Sequence, residues 1–289
     1  MKLIVTGGTG FLGSRLLPLL VAAGFQIRCL VRRPEARGWL EGQGCEVAMG
    51  DLANPQSLVD AFQGCAGLVN VASLGFGHAP AIVAAAATVG VRRAVFVSTT
   101  AIFTNLNAKS KAVRVAAEET IRNSGLRWTI LRPTMIYGSA RDRNMCRLVR
   151  LMRWCPVLPV FGTGGCLMQP VHVDDVAQAI MGVLRAECTV GRSYNIAGAA
   201  PLAYNEVIRT TARLLGRKVL LWHLPHRPVI ALLAALERGG IRFPLKAEQL
   251  MRLNESKDFC WTDAAGDFGY APRDFAAGMG QEIAELEQG

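Results

Sequence analysis

No apolar run in this chain of 289 residues reaches the roughly 18 residues that suggest a membrane-spanning helix. The first residues show none of the basic, apolar and small-residue succession of a secretory leader. A cytoplasmic location is therefore expected, with contact at a membrane surface as its variant. The eight cysteines, at positions 29, 45, 65, 146, 155, 166, 188 and 260, form no C-x-x-C pair. Their scatter argues for reduced, buried thiols and against a disulfide framework or a zinc site. Internal repeats and low-complexity segments are absent. Charged residues are few, 19% against 51% hydrophobic, which excludes a disordered chain. Acid is the scarcer charge: 22 Asp and Glu face 32 Lys and Arg, a net +10 that favours anionic partners. The basic residues are not interleaved with aromatics, and no nucleic-acid motif occurs, so nucleic acid is not an expected partner.

Against these absences stands one dense signal. Residues 5–13, VTGGTGFLG, place Gly7, Gly10 and Gly13 in a G-x-x-G-x-x-G spacing. A tight strand-to-helix turn needs a residue that tolerates positive φ. A pyrophosphate needs to reach the backbone with no Cβ in the way, and it then rests on the free N–H groups of a helix N-terminus. Gly13 lets the helix pack closely on the sheet. A strand before the motif, a helix after it and a second strand over 26–31 complete a βαβ unit, the context a dinucleotide site requires.

Beyond the first unit, strands are expected over 45–49, 67–71, 94–98 and 128–131. Helices are expected over 11–23, 56–62, 78–89 and 109–124. The strands are near-continuous Val, Ile and Leu runs, as in a parallel sheet covered on both faces. Alternation of this kind predicts an α/β, Rossmann-type doubly wound parallel sheet with a small C-terminal α/β lobe. The expected division is a dinucleotide-binding domain over 1–165, its strands continuing to about 200, and a mixed region with a substrate lobe over 166–289. Pro18 breaks the local rules, because it falls inside the first helix. After Tyr137 the pattern loosens. A helix is expected over 143–154, a Pro/Gly-rich loop over 156–165, a strand over 171–173 and a helix over 174–186. Further helices are expected over 204–215, over 229–236 and at the C-terminus.

Five segments carry a family resemblance: VTGGTGFLG, GDL (50–52), STTAIF (98–103), LRPTMIYG (131–138) and QPVHVDDVA (169–177). Together and in this order they resemble the extended short-chain dehydrogenase/reductases. The chain is similar to the atypical branches: the epimerase/dehydratase-like proteins, the NmrA-like proteins and the Rossmann-type accessory subunits of respiratory complex I. The resemblance implies roles by position. Gly7, Gly10 and Gly13 hold the pyrophosphate, and Thr9, Phe11 and Leu12 belong to the same cofactor site. Asp51 and Leu52 contact the adenine, Ala72 and Ser73 line the nicotinamide ribose, and Pro133 packs near the nicotinamide. Thr99 stands at the catalytic Ser/Thr position and Lys111 at the catalytic lysine. The catalytic tyrosine position, four residues before that lysine, holds Asn107. A tyrosine there acts as general acid/base, whereas an amide exchanges no proton near neutral pH. Tyr137 and Lys109 are the nearest substitutes, Tyr137 being better explained by packing. The arginine that sugar-modifying members use to grip a diphosphate is replaced by Met168.

The end of the second strand decides between dinucleotides. An acid there serves NAD, whereas this chain has Arg32 and Arg33, with Arg37 a further contributor. Guanidinium groups hold a 2′-phosphate bidentately, so NADP(H) is expected over NAD(H). Three other features have competing readings. Arg143, Arg147, Arg150 and Arg153 repeat at helical spacing, as a solvated face or an anion-binding one. His172 reads as a buried, hydrogen-bonded histidine, with Asp174 or Asp175 capping the next helix. The apolar stretch 227–238 reads as a core helix or as a surface for a membrane or partner. No metal site is expected.

The functional expectation is an atypical NAD(P)(H)-binding short-chain dehydrogenase/reductase-like protein. It would be a reductase, or a nucleotide-sugar epimerase/dehydratase-like enzyme, on a small polar or phosphorylated, anionic substrate. The alternative is a catalytically silent dinucleotide sensor, or an accessory subunit of a membrane-associated complex reached through the C-terminal lobe. Extended members often dimerise through two helices flanking the sheet, so the resemblance implies a homodimer as one assembly open to the chain, whose oligomeric state the sequence itself does not fix.

Overall fold

The computed structural model describes residues 1–106, 109–142, 144–238, 250–251 and 254–288. Asn107 and Arg143 lie outside the described residues, as does the side chain of Lys109.

Seven parallel strands make the central sheet. They are β1 (Lys2–Thr6), β2 (Gln26–Val31), β3 (Glu46–Met49), β4 (Gly67–Asn70), β5 (Arg93–Val97), β6 (Trp128–Pro133) and a later strand, Arg192–Ile196. Their spatial order is β3-β2-β1-β4-β5-β6, followed by Arg192–Ile196 beside β6. The chain therefore reverses direction of growth between β1 and β4, which opens a crevice at the carboxyl ends of those strands. One face is covered by α1 (Phe11–Ala22) and by the helix Val173–Arg185, which share a core with Leu3, Val5, Leu16, Leu20, Val176 and Ile180. The other face is covered by α3 (Pro55–Phe62), α4 (Ala79–Thr88) and α5 (Lys109–Arg122), around Ile4, Phe62, Leu68, Phe96 and Ile130. Leu3, Ile4 and Val5 in β1 are each fully buried, although alternate ones face opposite layers. That explains the unbroken apolar runs. A short helix, α2 (Arg37–Gly42), which the sequence did not announce, lies between β2 and β3.

Helix α1 runs through Pro18. Pro18 lies on the exposed side, so water can reach the carbonyl of Ser14 that a proline leaves without a donor. Helix α3 starts as expected from its residues. The side-chain oxygen of Asn54 accepts from the N–H groups of Gln56 and Ser57 at 3.1 and 3.3 Å, and Pro55 occupies the first turn.

Beyond β6, a short strand β7 (Ile136–Tyr137) and helix α6 (Met145–Trp154) lead to β8 (Val157–Phe161). The expected loop over 156–165 is thus corrected. Residues Val157–Phe161 pair in parallel with Leu220–Leu224, Pro159 standing opposite Trp222. The proline misled because it marks a breaker in central strands, yet a two-stranded sheet has only edge strands, where proline is tolerated. Helix Tyr204–Leu214 backs this small sheet through Ile208 and Ala212, which pack with Met152, Leu158 and Val160. The C-terminal helix Phe275–Gln288 closes a separate cluster around Tyr137, Met145, Val149 and Val207. The strand expected over 171–173 is Val171–His172, after which the helix begins at Val173. Among the described residues no helix is long and apolar enough to cross a membrane.

Candidate functional site

The crevice is built first from backbone. Gly7 adopts φ +74°, and a Cβ there would stand 2.7 Å from the backbone nitrogen of Ala72. Its role therefore combines a left-handed turn with close approach of the loop after β4. Gly10 is the N-cap of α1; its own N–H donates to the Gly7 carbonyl at 2.9 Å. No side chain caps α1, so its first N–H groups are available to an anion. A Cβ on Gly13 would lie 2.4 Å from the Gly7 carbonyl oxygen and 2.5 Å from that of Gly8. The expected reason for Gly13, close packing on the sheet, is thereby refined: it makes room for the turn itself.

Side chains then hold the crevice in place. The Thr6 hydroxyl donates to the Asn70 side-chain oxygen at 2.6 Å, and the Asn70 amide donates to the Ala72 carbonyl at 3.0 Å. Asn70 is fully buried. It ties the ends of β1 and β4 and fixes the loop that carries Ala72 and Ser73. Sequence reasoning missed it, although a polar residue closing an otherwise apolar strand was the available signal. Ser73 is exposed, and its hydroxyl accepts from the Gly75 N–H at 3.2 Å. The Asp51 carboxylate accepts from the Ala53 N–H at 2.9 Å, while Leu52 packs partly buried on the core beneath.

Two clefts meet at Thr9. One, of about 580 Å³, is lined by Thr9, Leu30, Val31, Arg32, Arg33, Glu35 and Ala36. The other, of about 470 Å³, runs past Gly10, Phe11 and Ile136 to Arg141, Asp142 and Asn144. Together they form a trough across the glycine turn. Arg32 and Arg33 are exposed on its rim. Glu35 sets one negative charge beside these two positive ones. Arg141 and Asp142 were not anticipated. Asp142 is buried and accepts from the N–H groups of Asn144, Met145 and Cys146, so it caps α6.

The far wall is braced by the C-terminal helix. Glu282, fully buried, accepts from the Gly138 N–H at 2.9 Å. Burial, and then the Asp142 charge, push its carboxyl up to about 8. Its other oxygen has no partner among the described residues. Arg15 donates to the Gly138 carbonyl at 3.3 Å and pairs with Glu285. The His172 ring packs edge-on to Tyr137, with centroids 5.3 Å apart. Here the capping expectation is corrected: His172 itself caps the following helix, its Nδ1 accepting from the Asp174 N–H at 3.3 Å. Asp175 instead accepts from Arg273 at 2.9 Å. Burial, and then the Arg273 and Arg15 charges, push the imidazole down to about 3, so it is neutral. Tyr137 is 1% exposed, and burial raises its phenol well above the usual range. It is packed rather than presented.

At the end of β5 the polar atoms are already engaged. The Thr99 hydroxyl accepts from the Ala101 N–H at 3.2 Å and caps a short turn. The Lys111 ammonium donates to the Thr104 carbonyl at 2.6 Å. The Thr104 hydroxyl and the Asn105 N–H both donate to Glu255 at 2.6 Å. Among the described residues no hydrogen bond joins Thr99 to Lys111. Pro133 is buried at the end of β6, and its carbonyl accepts from Thr100 at 3.4 Å. Glu118 is buried beneath this tip. It accepts from Ser98 and Arg122, and from Arg132 through both oxygens. Met168 packs partly buried on the cluster around Tyr137.

The NAD(P)H-binding family profile matches residues 7–187, more than half of the chain. The chain belongs to the NAD(P)H-binding family, within the extended short-chain dehydrogenase/reductase superfamily. It is 29% identical over 232 residues to the ceramide reductase of Caulobacter vibrioides, covering 76% of this chain and 73% of that one. It is 22% identical over 236 residues to the photosystem II assembly factor Ycf39 of Trieres chinensis, covering 78% and 72%. Among solved structures, the triphenylmethane reductase of Citrobacter sp. superposes with a TM-score of 0.79 at 21% identity, over 98% of this chain and all of that one. That likeness is one of fold.

Proposed function

We propose that the protein binds NADP(H) in the trough across the glycine turn and reduces a carbonyl compound. The observation that carries the cofactor choice is the pair Arg32 and Arg33, exposed on the rim of the cleft that Thr9 shares. Two guanidinium groups outweigh the single carboxylate of Glu35 and suit a 2′-phosphate. Gly7, Gly10 and Gly13 leave the backbone open to a pyrophosphate at the start of α1. Phe11 and Leu12 follow in that first turn, Asp51 and Leu52 stand at the adenine end, and Ala72, Ser73 and Pro133 stand toward the nicotinamide. When bound, the cofactor supplies a hydride. Thr99 and Lys111 orient the substrate and the ribose. Asn107 replaces the proton-donating tyrosine, so protonation of the product is assigned to water or to a group on the substrate. The name of the ceramide reductase relative directs the substrate screen to ceramide-related lipids, beside small phosphorylated carbonyl compounds. A homodimer remains part of the proposal.

The decisive experiment is titration with NADPH and NADH, following nicotinamide fluorescence, then a panel of carbonyls. Preference for NADPH that disappears in Arg32→Ala supports the reading; preference for NADH overturns the cofactor choice. Asn107 favours a second reading, a dinucleotide-binding assembly or accessory protein without turnover. NADPH binding with no turnover on the panel, and none gained in Asn107→Tyr, selects that second reading.

A further inference from the structure

The second cleft of the trough holds a cation that the fold itself does not use. Thr9, Gly10 and Phe11 line this cleft from the glycine turn, and Ile136, Arg141, Asp142 and Asn144 line it from the chain after β6. Arg141 is exposed, and among the described residues its guanidinium forms no hydrogen bond and no ion pair. Among the described residues lining the cleft, Asp142 carries the one carboxylate. That carboxylate is buried and spent on the N–H groups of Asn144, Met145 and Cys146. Asn144 is exposed, and its side chain caps nothing.

The backbone that carries Arg141 is fixed on both sides. The Ser139 carbonyl accepts from the Asp142 N–H at 3.0 Å, and the Ser139 hydroxyl accepts from the Arg141 N–H at 3.1 Å. Before this turn, the Gly138 N–H donates to Glu282 at 2.9 Å and the Gly138 carbonyl accepts from Arg15 at 3.3 Å. After it, Asp142 caps α6. A guanidinium on so fixed a turn can meet a ligand with little backbone left to order.

The chain belongs to an NAD(P)H-binding family, so a pyrophosphate is the anion due at the glycine turn. The start of α1 meets it with N–H groups and about half a unit of positive charge, against a negative charge on each phosphate. Arg15, the one basic residue of α1, is paired with Glu285. Arg32 and Arg33 line the other cleft. We propose that Arg141 binds the pyrophosphate of the dinucleotide, its N–H groups donating to phosphate oxygens. The glycine turn and the segment after β7 then grip the cofactor from two sides. A guanidinium fork suits this task, because it adds charge and two directed donors at once. The inference rests on the proposed function only in that a pyridine dinucleotide binds, and it holds for NADP and NAD alike.

The test is calorimetric titration of the full chain and of Arg141→Ala with four compounds: NADPH, NADH, ADP-ribose and adenosine 2′-phosphate. ADP-ribose keeps the pyrophosphate without the nicotinamide. Adenosine 2′-phosphate keeps the 2′-phosphate without the pyrophosphate. Arg141→Ala should lower affinity for the first three by at least about tenfold, to a similar degree, and leave the fourth unchanged. Arg32→Ala should give the complementary pattern, with losses for NADPH and adenosine 2′-phosphate alone. The Arg141 side chain is exposed and unpaired, so the thermal transition should not move. If the unaltered chain binds the dinucleotides and Arg141→Ala binds them as tightly, this inference fails while the cofactor reading stands. An equal loss for adenosine 2′-phosphate would reduce Arg141 to general charge attraction and overturn the assignment. Loss of uridine diphosphate binding with ADP-ribose binding intact would move the guanidinium to a substrate diphosphate, which also overturns it. An unaltered chain that binds none of the dinucleotides removes both readings.

Discussion

Two strand ends of one sheet are made in opposite ways. The turn after β1 is made of backbone: three glycines, a left-handed Gly7 and a helix start that no side chain caps. The tip after β5 is made of side chains, and their polar atoms are spent on one another. Thr99 caps a turn, Lys111 holds the Thr104 carbonyl, and Thr104 holds Glu255. A site that keeps its donors free is ready for a ligand. A site that satisfies its donors internally must exchange those bonds before it can act. The lesson is that the proposed cofactor end is preorganised, while the proposed chemical end is closed by its own hydrogen bonds.

Four measurements sharpen or break that contrast. The largest effect is expected at Gly13. In Gly13→Ala the new methyl would meet the Gly7 and Gly8 carbonyl oxygens at 2.4 and 2.5 Å, so the turn must open. NADPH affinity should fall by more than about a hundredfold and stability by roughly 1–3 kcal/mol. Unchanged affinity by fluorescence titration would show that the turn is not the site.

Next comes the side-chain brace on the far wall. Glu282 has its carboxyl raised from 4.5 to about 8. A group whose folded value is raised stabilises the fold below its unfolded value and loses that contribution as pH climbs through the folded one. His172, lowered from 6.5 to about 3, acts in the opposite sense, and its contribution is complete above 6.5. Between pH 6.5 and 8, therefore, only Glu282 of the two changes. Urea titrations should show stability falling by about 2 kcal/mol across that window, and Glu282→Gln should flatten the fall. A slope that persists in the variant would locate the proton elsewhere.

Arg32→Ala is expected to cost about tenfold or more in NADPH affinity and to leave NADH affinity unchanged. Equal losses for both cofactors would turn Arg32 into a general anchor and remove the 2′-phosphate argument. The smallest effect belongs to the tip. Thr99→Val deletes a cap and should lower stability by about 1 kcal/mol. A loss of turnover far beyond that figure would mean the hydroxyl leaves its cap to touch substrate, and the contrast between the two strand ends would weaken.

How much was legible varies with distance along the chain. The glycine turn and the basic rim were readable because each depends on neighbours a few residues apart. Asn70, Glu282 and Arg141 were not, because each matters through residues far away in sequence: Asn70 through Thr6, Glu282 through Gly138, and Arg141 through the wall it shares with Gly10. Pro159 shows the same limit in reverse, its local signal for a loop being overridden by pairing with Trp222.

The sequence by itself determined the parallel sheet, the turn chemistry and the sign of the rim charge, since apolar periodicity, glycine freedom and formal charge are local properties. Only the tertiary structure decided which polar groups are spent and which are free, and which apolar side chains are left in water. Those outcomes depend on what packs across from each residue, and packing partners are set by the whole fold.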